Sequence, residues 1–138
     1  MKTFLLVSSA FLISFLLSCS QSTSPNGGVP QIYGTWQWYR TTGGFGGTNT
    51  TPESCGCTAK AVFKPEGVAQ FFQNDTLANQ YPFTIIRDTT YGRENYLLHV
   101  ESGTHYPDQL INISSQGDTL VLADYCTDCF THFYVRIQ

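Results

Sequence analysis

An eight-stranded antiparallel up-and-down β-barrel, with no long C-terminal helix, is the fold this sequence predicts. Three observations carry that expectation. Aromatic residues are abundant (10 Phe, 8 Tyr, 2 Trp) while charged residues make up only 12% of the 138. Twelve Gly among many Thr favour strands and tight turns over helices. Turn signals also recur at nearly regular spacing and cut the chain into eight short segments. Eight is the number at which such a barrel closes around a side-chain core or one small ligand.

Residues 1–18 are not part of that fold. Lys2 supplies a positive start, and residues 4–17 form an apolar run too short for a comfortable membrane span. Residues 19–30 are polar and rich in breakers, Ser20-Gln21-Ser22-Thr23-Ser24-Pro25-Asn26-Gly27-Gly28 above all, and predict a tether. Residues 31–138 then form a single domain, long enough for one real core. Loss of Lys2 leaves 6 of the 7 basic residues against 10 acidic ones, a formal charge of 6 − 10 = −4. The basic residues are scattered, with no stripe to neutralise phosphates, which argues against a nucleic-acid partner.

Taken in order, the first strand is residues 34–42, followed by the loop Gly43-Gly44-Phe45-Gly46-Gly47 running on to Cys57. The second, residues 58–64, places Ala59, Ala61 and Phe63 on one face and Lys60 and Lys64 on the other. Pro65-Glu66-Gly67 turns into the third, residues 68–73, closed by Asn74-Asp75. A fourth covers residues 81–88. The fifth, residues 95–101, sets Tyr96, Leu98 and Val100 on one side. The sixth, seventh and eighth are residues 109–115, 119–125 and 130–137. In a meander of this kind the loop carrying Cys55 and Cys57 and the turn carrying Cys126 and Cys129 fall at one end. They become neighbours if the last strand pairs with the first. The same closure sets Arg136 beside Trp36 at the other end, where a planar guanidinium can lie across the indole.

Four cysteines in two close pairs could chelate zinc, but an even count in an oxidising compartment most simply means two structural disulfides. Cys126-x-x-Cys129 lies between strands and opens no helix, so nothing favours a redox role. Cys55 and Cys57 paired together would close a very small ring, so bonds across the two loops are expected. The spacing leaves open 55–126 with 57–129 or 55–129 with 57–126, and a 126–129 bond across its own hairpin competes with both. His99, His105 and His132 show no ligand spacing. No nucleophile elbow, metalloprotease helix or phosphate loop is present. The domain is therefore expected to be non-catalytic, with no metal and no cofactor.

Two resemblances add to this reading. Leu16-Leu17-Ser18-Cys19 resembles the lipobox of bacterial lipoproteins, which implies a diacylglycerol on Cys19 and cleavage before it. A plain signal peptide, or an N-terminal anchor, with Cys19 incidental is the competing reading. Ser20 after the modified Cys implies an outer-membrane anchor, and the missing acidic cluster a periplasm-facing protein. Gly34-Thr35-Trp36 opening the first strand, with Arg136 near the end of the last, looks like the lipocalin pattern. The ending Asp118-Thr119-Leu120-Val121-Leu122 followed by Phe130-Thr131-His132-Phe133-Tyr134-Val135-Arg136 is similar to small lipocalin-like lipoproteins of Gram-negative bacteria. The likeness implies that Gly34, Trp36 and Arg136 close the barrel.

Two function classes follow. In one, the barrel binds a small apolar or amphipathic molecule between its walls, lined by Trp38, Phe63 and Leu98. In the other, aromatics fill the interior and the domain is a non-catalytic interaction or structural module of the envelope, an inhibitor being one form of it. Interior volume separates the two.

Overall fold

The computed structural model describes residues 28–103 and 106–137, so the leader segment, Cys19, residues 20–27 of the tether and His105 lie outside the described residues. Within them the chain forms nine strands: β1 (Gly34–Gly43), β2 (Thr48–Thr50), β3 (Ala59–Lys64), β4 (Val68–Gln73), β5 (Thr76–Asp88), β6 (Asn95–Val100), β7 (Gln109–Ile113), β8 (Thr119–Asp124) and β9 (Phe130–Ile137). All neighbours are antiparallel in the order β2-β1-β3-β4-β5-β6-β7-β8-β9, and β9 returns to pair with β1. Eight strands therefore close an up-and-down barrel, with β2 as an extra strand.

Alternation builds the interior. Ala61 and Phe63 of β3, Ala69 of β4, Phe83 of β5, Leu98 of β6, Ile111 of β7, and Leu120 and Leu122 of β8 all turn inward with Trp36 and form one buried cluster. Phe63 sits edge-on to Phe71 and Phe83, with centroids 6.3 and 5.4 Å away. Such pairs add to the stability gained from apolar burial alone. Ile32, just ahead of β1, is fully buried and its carbonyl accepts the Trp36 indole N–H at 2.6 Å. That bond satisfies the one polar atom of a wholly buried Trp.

Closure occurs where the sequence places it. Trp36 and Arg136 are direct register partners across β1 and β9, and the guanidinium lies 4.1 Å from the indole ring. Its nitrogens also donate to three carbonyls: Nε to Gly117 at 2.7 Å, Nη1 to Tyr33 at 2.8 Å and Nη2 to Gln31 at 3.1 Å. Gly34 has φ +127°, and an added Cβ there would come within 2.6 Å of Arg136 Nη1. The glycine thus leaves room for the arginine.

Two expectations need correction. The Gly43–Cys57 stretch is not a plain loop. Gly43 and Thr48 end a β1–β2 hairpin, and Thr51 caps the short helix α1 (Pro52–Cys55) with Ser54 in a reciprocal capping box. Nor do the disulfides cross between loops. They are Cys55–Cys57 and Cys126–Cys129, with Cα atoms 5.2 and 5.6 Å apart. The small ring is accommodated because Gly56 adopts a left-handed conformation, φ +62°, and folds the chain back on itself. Asp128 at φ 56° does the same in the second turn. Removing either bond frees only a short loop, so Cys55→Ser/Cys57→Ser and Cys126→Ser/Cys129→Ser should each cost no more than about 2 kcal/mol in the chain-entropy picture. Urea unfolding of the two double variants checks this.

Candidate functional site

The residues named in advance as ligand-lining do point inward. Trp38, Phe63 and Leu98 are 8%, 1% and 0% exposed. Phe63 and Leu98 belong to the buried core cluster, and Trp38 is buried two residues along β1 from Trp36. Packing has used the inner surface that a deep ligand would need.

A bulge between Trp38 and Arg40 shifts the β1–β9 register, so that Trp38 and Thr41 both face inward, opposite Tyr134 and His132. This begins a polar layer above the apolar core. The Trp38 indole N–H donates to Thr41 Oγ1 at 2.8 Å, and Thr41 Oγ1 lies 2.9 Å from His132 Nδ1. The Thr41 hydroxyl, which can accept twice and donate once, thus bridges the indole and the imidazole, whose other nitrogen is Nε2. That nitrogen faces Asp124 Oδ1 at 3.6 Å. Gln109 Nε2 donates to the same oxygen at 2.7 Å. Burial pulls the His132 pKa below its ordinary value, with Asp124 opposing the shift. The row has the residue types of a Thr-His-Asp set, with the Thr41 oxygen accepting from the indole and the carboxylate beyond ordinary hydrogen-bond length from the ring. Its effect is to tie β1, β8 and β9 together below the Cys126–Cys129 turn.

Beside this layer is an open cleft of about 690 Å³ between the β6–β7 connection and the β8–β9 turn. His99, Glu101, Tyr106, Asp108 and Tyr125 line it, with the Cys126–Cys129 disulfide on one side. His99 Nδ1 and Asp108 Oδ1 are 2.7 Å apart. The Tyr125 backbone N–H donates to the Asp108 carbonyl at 2.7 Å, which fixes that wall, and its hydroxyl donates to Asp88 at 3.5 Å. Tyr134 of β9 packs, partly buried, against the core cluster. Its pKa is pushed up beyond the phenol range, first by burial and then by Tyr106 and Asp124.

Sequence reading picked out none of these cleft residues as a group. They come from three connections far apart in the chain, and only strand order brings them together. No group of three or more His, Cys, Asp or Glu side chains suited to a metal ion occurs among the described residues. Comparison with protein families, with characterised proteins and with solved structures finds no match to this chain.

Proposed function

We propose that this protein is a lipocalin-like lipoprotein of the bacterial envelope that is anchored through Cys19 and binds a small amphipathic molecule at the rim of its barrel. The observation that carries the reading is the contrast between the filled interior and the open cleft of about 690 Å³ beside it. That volume falls in the range of small-molecule sites, and its walls combine aromatic rings with polar groups. Outer-membrane attachment facing the periplasm rests on Ser20 and on the absence of an acidic cluster behind Cys19. The protein is read as a non-catalytic binder, with neither cofactor nor metal.

The filled interior also favours a second reading, in which the barrel is an envelope interaction or structural module. Mass spectrometry of small molecules extracted from gently purified protein separates the two. A stoichiometric amphipathic compound supports the first, and none supports the second. For the anchor, metabolic labelling with a palmitate analogue should mark wild type and fail on Cys19→Ala. Equal labelling of both would remove the lipoprotein assignment.

A further inference from the structure

We propose that the rim cleft selects cationic amphiphiles, molecules with an ammonium head and a short apolar tail. This rests on the rim-binding reading above and names its ligand class. The cleft has a size and an opening suited to a small molecule, and among the described residues its lining holds two carboxylates, Glu101 and Asp108, with neither Lys nor Arg. A further carboxylate reaches the lining, since Asp88 accepts the Tyr125 hydroxyl. Arg87, beside Asp88 in β5, is held by Glu94 at 2.8 Å. An anionic head would enter this field against repulsion, whereas a cation is drawn in.

Aromatic rings supply the second half of the argument. Tyr106 and Tyr125 both border the cleft, and both are more than half exposed. Ring faces attract quaternary ammonium groups through their negative quadrupole and tolerate apolar tails equally well. His99, the one basic side chain of the lining among the described residues, is already paired with Asp108.

The test uses three probes that share a tail and differ in the head: octyltrimethylammonium, octyl glucoside and octanoate. They are titrated into the mature chain carrying Cys19→Ser, which keeps tether and barrel whole, and followed by amide chemical shifts. Octyltrimethylammonium should bind about tenfold more tightly than octanoate and move the Val100, Tyr106 and Tyr125 amides. Glu101→Gln, with Asp108→Asn added, should erase that preference while octyl glucoside binding and the thermal midpoint stay as in wild type. If octanoate or octyl glucoside shifts the same amides with equal affinity, the cationic selectivity is overturned and the rim site stands. If none of the three probes moves the rim amides, the rim site itself is overturned.

Discussion

Replacing Arg136 with Lys should destabilise the barrel by about 2–4 kcal/mol although the charge is kept. The ammonium cannot lie flat on Trp36, and it cannot reach the carbonyls of Gln31, Tyr33 and Gly117 together. Three carbonyls then lose a charged donor at the seam between the first and last strands. Trp36→Phe keeps an apolar ring but removes the indole bond to Ile32 and the wider face under the guanidinium. In a double-mutant cycle the two substitutions should couple by about 1–2 kcal/mol, because each removes the same stacked contact. Additive losses in urea unfolding would mean that the stack contributes nothing of its own.

Gly43→Ala should have an effect at least as large, at the other end of the same seam. Gly43 has φ +121°, where a side chain is strained, and an added Cβ would stand 2.2 Å from the Cys129 carbonyl oxygen. That neighbour is backbone and cannot swing aside. It also accepts the Gly44 N–H at 3.1 Å, so moving it breaks the bond that joins the β1–β2 hairpin to the disulfide turn. A cost of about 3 kcal/mol or more is expected, from strain and lost pairing together. Thermal unfolding reads it directly. Gly46→Ala, with nothing near its Cβ, is the control and should be close to neutral.

Closure was legible in the sequence because it depends on alternation and on ends. A Gly-x-Trp at the start of one strand and an Arg at the close of another can meet only if the sheet returns on itself, and Trp36 and Arg136 do meet. The inward faces of β3 and β6 followed equally well from period two, with Phe63 and Leu98 buried as that period requires. Other features depended on conformations that residue type only permits. Gly56 could have been a flexible link or a left-handed turn, and the turn is what joins Cys55 to Cys57 locally. Thr51-Pro52-Glu53-Ser54 starts the helix α1, with Pro52 in its first turn, inside a stretch that the glycines marked as loop. β5 begins at Thr76 and not at residue 81, because pairing with β4 extends a stretch whose own composition is that of a loop. The cleft was hidden for a further reason. His99, Tyr106 and Tyr125 gain meaning only from the order in which β6, β7 and β8 stand side by side.

The functional account turns on an interior that is full, which leaves recognition to the rim. A crystal of the protein pressurised with xenon tests this most directly, since xenon enters dry apolar cavities and leaves packed cores empty. The account predicts no xenon among Trp36, Phe63, Leu98 and Leu120, the fully buried centre of the barrel. An ordered xenon atom enclosed by those side chains would contradict it and return the ligand to the inside of the barrel.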